Sequence, residues 1–235
     1  NQLPLQCYNG TARIIAELPS LIDLSADSIT ESKITTVFMM NDDKGIAASF
    51  SSQLGTQESQ SIRRKLKNTS TENFFTDMKK SYSMDVELTN TSLDSLKKPE
   101  YPVTIKYDMS FNTGDEDVFY FSPLLAESYK ENPFKAVERL YPVEMDACTN
   151  ETYILNMEVP KGYKVEEMPK STRVMLNEDE GMFEYIIALS GDHIQLRCRT
   201  VIKKATFFHE DYATLRDFFA YVVKKEAEQI VFKKQ

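Results

Sequence analysis

The chain has 235 residues, 41% of them hydrophobic and 27% charged, and a net charge of −8. That length suits one large domain or two modest ones and can bury a real core, while no apolar run exceeds the six residues 218–223, which excludes a membrane-spanning helix, a fibre and a wholly disordered chain. Lys and Arg number 12 against 17 acids in residues 1–117 and 16 against 19 in the remainder, so neither half is basic and a nucleic-acid partner is not expected.

In chain order, period-two alternation predicts strands over 34–40 and 46–50, joined by the turn-forming residues Asn41, Asp42, Asp43, Lys44 and Gly45. A helical stretch follows over about 58–82. Ile62 and Leu66 stand four apart, and Phe74, Phe75, Met78 and Tyr82 follow Thr71 as a cap, so one or two short amphipathic helices would cover a sheet face or edge. A short strand is expected over 84–88. The clearest strand is 103–111, where Val103, Ile105, Tyr107, Met109 and Phe111 alternate with Thr104, Lys106, Asp108 and Ser110 to give one dry and one wet face. Asn112, Thr113, Gly114 and Asp115 make the next turn. The three prolines of 122–142 break the alternation and mark the expected seam between two β-rich halves. Further strands are predicted over 153–159, 183–189 and 194–202, with turns at 177–181 and 190–192. A C-terminal helix is predicted over about 210–228: Tyr212, Leu215, Phe218, Phe219 and Val222 form one stripe, acids open it and Lys224 and Lys225 close it. Residues 230–232 could return as a final strand. The expected fold is mainly β, an antiparallel β-sandwich that is jelly-roll-like or built of two packed halves, 1–121 and 122–235, or one continuous sandwich over 1–235.

The residues offer little chemistry. Three cysteines, Cys7, Cys148 and Cys198, are too few and too scattered for a zinc cluster or a disulfide framework, and at most one disulfide could form. A thiol nucleophile needs a nearby imidazole, yet Cys198 shares strand parity with Ile194, Leu196 and Ile202 whereas His193 shares it with Gln195 and Arg197, so the two point to opposite faces. His209 sits at the mouth of the C-terminal helix, far from Cys148. The acids Asp42–Asp43, 115–117 and 178–180 fall at turn tips without the alternating spacing of a calcium loop. Neither GxGxxG nor GxxxxGK[ST] occurs, so nucleotide binding has no support. Arg63, Arg64, Lys65 and Lys67 read as a solvated helix face. Aromatics are plentiful but Trp is absent, which leaves a sugar-binding platform as an alternative. Four Asn-x-Ser/Thr triplets, at Asn9, Asn68, Asn90 and Asn150, read as chance or as turns. The chain opens at Asn1 with no Met, basic start or apolar signal stretch, and is expected to be a processed product or, preferably, a fragment of something longer.

Four stretches resemble the C-terminal region of bacterial transglutaminase-like proteins, common among Bacteroidetes, in which a β-rich N-terminal domain and a transglutaminase core precede a domain of unknown function. They are Leu3-Pro4-Leu5-Gln6-Cys7-Tyr8-Asn9-Gly10, with Tyr8 where Leu is common; Asn132-Pro133-Phe134-Lys135 through Glu138-Arg139 to Tyr141-Pro142-Val143; Pro160-Lys161-Gly162-Tyr163 with Val165-Glu166-Glu167-Met168-Pro169; and His209-Glu210-Asp211-Tyr212 through Leu215-Arg216-Asp217-Phe218-Phe219 to Glu228-Gln229-Ile230-Val231. The match is strongest over 132–235, and 11–130 match in pattern only. The resemblance implies that the family's Cys, His and Asp triad lies upstream of this chain, so no catalytic, cofactor-binding or metal-binding residue carries over, and Cys7, ahead of a short Asn9-Gly10 turn, is not the nucleophile. The expectation is a non-catalytic scaffold or recognition region of a secreted or periplasmic protein, without a cofactor or a membrane span, whose partner is the transglutaminase-like core. A glycan- or peptide-binding module and an independent hydrolase are the alternatives.

Overall fold

The structure is a computed structural model describing residues 3–43, 45–114 and 116–235; the turn residues Lys44 and Asp115 named above lie outside the described residues. The strands are β1 (Asn9–Ile14), β2 (Ser20–Ser25), β3 (Thr30–Asp42), β4 (Gly45–Gln53), β5 (Glu87–Asp94), β6 (Thr104–Phe111), β7 (Val118–Phe121), β8 (Val143–Glu144), β9 (Cys148–Glu158), β10 (Tyr163–Glu167), β11 (Thr172–Leu176), β12 (Gly181–Ser190), β13 (His193–Ile202), β14 (Thr206–Phe207) and β15 (Ile230–Lys234). Helices α1 (Thr56–Lys65) and α2 (Thr71–Lys79) lie between β4 and β5, and α3 (Tyr212–Glu226) precedes β15.

Eight strands form one large sheet in the order β11-β12-β13-β9-β3-β4-β6-β5. The sheet is mixed, where an antiparallel one was expected. Consecutive strands pair as antiparallel hairpins in β3–β4, β5–β6, β11–β12 and β12–β13, β4–β6 and β9–β13 pair antiparallel across longer excursions, and β3 and β9 run parallel, from Thr30 beside Cys148 to Met39 beside Met157. The long coil between β7 and β9 makes this geometry available, because it is not bound to reverse direction as a tight turn is. Strands from both sides of the proline-rich coil therefore pair within one sheet.

One face of the sheet is dry. Val37 and Met39 of β3, Phe50 of β4, Tyr107 of β6, Leu155 of β9 and Leu196 of β13 are all buried. Each such aromatic or aliphatic side chain contributes about 1.5–3 kcal/mol. The layer over this face is heterogeneous rather than a second full sheet. A three-stranded sheet, β10-β15-β7, covers one part, with Phe121 of β7 stacked on Phe111 of β6 at 6.3 Å. Helix α2 covers another, its Phe75 edge-on to Tyr107 at 6.2 Å. Helix α3 lies over β11 to β13, where Tyr221 meets Phe183 and the Lys225 ammonium sits over the Tyr185 ring at 5.2 Å. Both helical predictions correspond to observed helices, although Ser70, and not Thr71, caps α2 by accepting from the Asn73 amide at 3.1 Å. The expected strand at 84–88 starts only at Glu87 and extends to Asp94. Val86 before it is already buried as core, which explains its apolar character without a strand.

The opposite face of the sheet is open. Ile34, Phe38 and Met40 of β3 and Ile186 of β12 are exposed there. The β1–β2 hairpin also buries no side chain: every residue of both strands is exposed or half-buried, and Ile15 and Leu18 at its tip are 96% and 88% exposed. Asn9 and Gly10 belong to β1, paired with Ser25 and Leu24, and are not the turn expected from their sequence. The hairpin ladder with β2 claims their backbone groups.

Candidate functional site

The most concentrated chemistry lies on the dry face near the end of the sheet where β3 and β9 begin. The parallel register sets Lys33 beside Glu151, and the antiparallel one sets Glu151 beside Thr200, so three polar side chains share one row. The next row holds Thr35, Tyr153 and Cys198. The coil after β7 lays Leu124, Glu127 and Tyr129 over these rows, and the last residue of α3, Glu226, closes the side. Together they line a part-open pocket of about 50 Å³, room for one or a few waters.

Lys33 is the cation of the cluster, 2.7 Å from Glu127 and 3.7 Å from Glu58. Burial pulls its ammonium down, but Glu127 and then Glu58 outweigh that and hold it above the usual lysine range. Burial pushes the Glu58 carboxyl up, with Lys33 opposing. The Tyr129 hydroxyl donates to Glu151 at 3.0 Å while the Tyr129 amide donates to Glu226 at 2.7 Å, so one coil residue ties two carboxyls. Burial, and after it Glu151, raises the Tyr129 phenol. Glu226 is 6% exposed and its carboxyl is pushed up to about 7, chiefly by burial. Its second oxygen lies 3.6 Å from the Cys198 sulfur.

This arrangement holds protons; it does not make a nucleophile. Burial and the adjacent Glu226 drive the Cys198 thiol far above its ordinary range, the reverse of what a reactive thiolate needs. Cys148 is buried and donates to the Asp27 carbonyl at 3.6 Å, and Cys7 is exposed. His193 faces outward with Nδ1 2.6 Å from Asp192, and His209 lies 3.1 Å from Glu210. None of these contacts joins a thiol to an imidazole. Among the described residues, no group of three or more His, Cys, Asp and Glu side chains is arranged to hold a metal ion. Two of the acids at 178–180 are engaged by lysines: Lys204 bonds Glu180 at 2.8 Å and Lys203 bonds Asp179. The hydrogen bond from Lys204 holds the Glu180 carboxyl below its usual range.

Arg63 requires a correction. It is not part of a solvated face: its guanidinium is half-buried and donates to the carbonyls of Ser95, Leu96, Lys98 and Tyr101 at 2.7–3.0 Å. The fork geometry suits several carbonyls at once, so Arg63 organises the loop between β5 and β6.

Three of the four motif stretches singled out in the sequence meet: the second packs on the fourth, and the third pairs with the end of the fourth, Glu167 beside Val231. Asn132 accepts from the Phe134 amide and donates to the Arg216 carbonyl, both at 2.8 Å. Phe134 packs edge-on to Phe219 at 5.2 Å, and the Tyr212 hydroxyl donates to the Ala136 carbonyl at 2.8 Å. Gly162 adopts φ 85° in its turn, and the Lys161 amide donates to Asn41 at 2.7 Å. These residues serve packing.

Lys33, Glu127, Glu151 and Glu226 were not singled out in the sequence. The signal that could have found them is parity: Lys33 shares a face with Thr35, Val37 and Met39, and Glu151 with Tyr153, Leu155 and Met157. Glu226 stands four residues after Val222 on the buried stripe of α3.

Residues 117–232 match a family described as a domain of unknown function with solved structure, DUF3858. The match runs from the start of the β7 region into β15 and leaves out β1 to β6. A solved structure from Parabacteroides distasonis, described as "a putative protease", aligns with 52% of this chain at 13% identity and a TM-score of 0.42. The alignment spans 24% of the length of that chain. No curated protein matches the sequence. No helix among the described residues is long and apolar enough to cross a membrane.

Proposed function

We propose that this chain is a non-catalytic scaffold and recognition region of a secreted or periplasmic transglutaminase-like protein, and that its apolar hairpin seats it against the transglutaminase-like core. The observation that carries the reading is the β1–β2 hairpin. Ile14, Ile15, Leu18, Leu21 and Ile22 stand exposed on a two-stranded ribbon with no buried side chain of its own. An isolated two-stranded hairpin is marginally stable in water, and a concentrated set of exposed aliphatic side chains marks a surface that another body covers. The open face of the large sheet adds Ile34, Phe38 and Met40. Two further observations support a structural role: motif residues such as Asn132 are spent on internal packing, and the contacts of Cys148 and Cys198 among the described residues run to Asp27 and Glu226 and not to an imidazole. Compartment and parent protein rest on the sequence resemblance.

The test is an assay of amide hydrolysis and transamidation by the chain, alongside calorimetry against polysaccharides. The expected result is no turnover above buffer and no saturable heat. Turnover abolished by replacing Cys148 or Cys198, or sugar binding lost in Phe38→Ala, would overturn the reading.

A further inference from the structure

The open face of the large sheet is shaped to fit a copy of itself. Its exposed apolar side chains Ile34, Phe38 and Met40 stand on β3, and the neighbouring strand β4 turns small residues outward: Ser49 lies beside Phe38, Ala47 beside Met40 and Ser51 beside Thr36. A ridge therefore runs alongside a trough. The two flanks of the face differ in charge. Arg173, Arg197 and Arg199 share the outward side of β11 to β13 with Glu184, whereas Glu87, Asp94 and Asp108 share that of β5 and β6 with Lys106. Pairing within the chain, Arg197 with Glu184 and Lys106 with Asp94, leaves Arg173 and Arg199 in excess on one flank and Glu87 and Asp108 on the other.

We propose that this face is covered by a second copy of the chain, the two sheets packing face to face about a two-fold axis that runs along the strands between β3 and β4. That axis lays the Phe38 ridge of each copy into the Ser49 trough of the other, so that one contact is made twice. It also sets β13, with Arg199, over β5 of the other copy, at the end where Asp94 stands. An axis across the strands would set like flank on like. Six strands, from β13 to β5, overlap in this arrangement, a patch of about 29 Å by about 27 Å at the usual strand spacing and rise. That is about 800 Å² on each copy, the size of a stable protein interface, and two aligned sheets pack in this manner in a β-sandwich. The β1–β2 hairpin is a separate sheet and stays available to the core, so the pairing stands without that seating.

Sedimentation equilibrium over a range of concentrations is the measurement. The natural chain is expected to approach twice the mass of one chain as concentration rises. Phe38→Asp places a charge on the ridge and should weaken association at least tenfold, a change typical of a buried aromatic anchor. Ser49→Arg fills the trough and should do the same; it serves alone should Phe38→Asp not fold, because Ser49 is exposed. A chain carrying Ile15→Asp and Leu18→Asp in the hairpin should associate as the natural one does. A natural chain that stays monomeric at every concentration would overturn the pairing and leave the face to the core. Association indifferent to both face variants would overturn it as well, placing the contact at a strand edge, or at the hairpin if the hairpin variant abolishes it.

Discussion

Asn132 in the coil and Arg216 in α3 are joined by a side-chain amide donating to a backbone carbonyl at 2.8 Å, across 84 residues of sequence. The Asn132 side-chain oxygen accepts from the Phe134 amide, so one residue both shapes its own turn and docks it on the helix. Arg216 reciprocates through its guanidinium, which donates to the Val137 carbonyl at 2.7 Å. The coil is thus held on the helix by side chains in place of a ladder.

Asn132→Ala removes both contacts and leaves the Arg216 carbonyl without that donor. A loss of about 1–2 kcal/mol is expected, seen as a thermal midpoint lower by roughly 2–8 °C for a chain of this size. Asn132→Asp keeps the acceptor for Phe134 and should lose less. Differential scanning calorimetry of the two variants decides the point.

Arg63→Ala strips four carbonyls of a common donor. The expected cost is on the order of 2–4 kcal/mol, because charged hydrogen bonds to half-buried groups are lost together. Arg63→Lys should recover little, since an ammonium cannot span the same set. Urea denaturation gives the magnitude, and hydrogen exchange over 95–101 gives the location.

Gly45 has φ 139°, and a Cβ there would lie 2.5 Å from the Phe111 carbonyl oxygen, a backbone atom that cannot swing aside. Gly45→Ala is therefore expected to cost about 2 kcal/mol or more. Gly191, at φ 62° in a turn with open space around it, bears only the conformational penalty, and Gly191→Ala should cost about 1–2 kcal/mol. Chemical denaturation of the pair separates steric from conformational strain.

Global stability should rise as pH falls from 7 toward 4.5. Glu226 has a folded pKa of about 7, above its unfolded value, so the folded state binds the extra proton and the benefit fades as pH rises through that window. The size is a few kcal/mol, on the order of 2–4. Glu58 is raised and acts in the same sense. Glu180 is lowered by Lys204 and acts oppositely, its contribution being lost as pH falls below the ordinary carboxylate range. Denaturant midpoints at pH 5 and pH 8 test this, and Glu226→Gln should flatten most of the difference.

Strand alternation made much of the large sheet legible in advance, because Val103 through Phe111 and Ile194 through Ile202 each divide cleanly into a dry and a wet set. β3 shows where alternation fails. Its outward set, Ile34, Phe38 and Met40, is as apolar as its inward set, Thr35, Val37 and Met39, so composition could not say which face is core. The parallel pairing of β3 with β9 was equally hidden, since it depends on a coil whose path is set by side chains such as Asn132 and Tyr129. The cavity cluster escaped notice because Lys33, Glu127, Glu151 and Glu226 are dispersed across two strands, a coil and a helix end, and charged residues in sequence look solvated until a partner is seen. The helices were readable from their buried stripes, and the Phe218–Phe219 pair of α3 is buried as its spacing required.

Titration calorimetry of this chain against a separately produced transglutaminase-like core domain measures the proposed seating. Saturable binding is expected, weakening at least tenfold in a chain carrying Ile15→Asp and Leu18→Asp, a scale typical of buried aliphatic anchors. The thermal midpoint of that doubly substituted chain should match the natural one, because both side chains are almost wholly exposed. Absence of binding by the natural chain, or an affinity indifferent to the two substitutions, would contradict it.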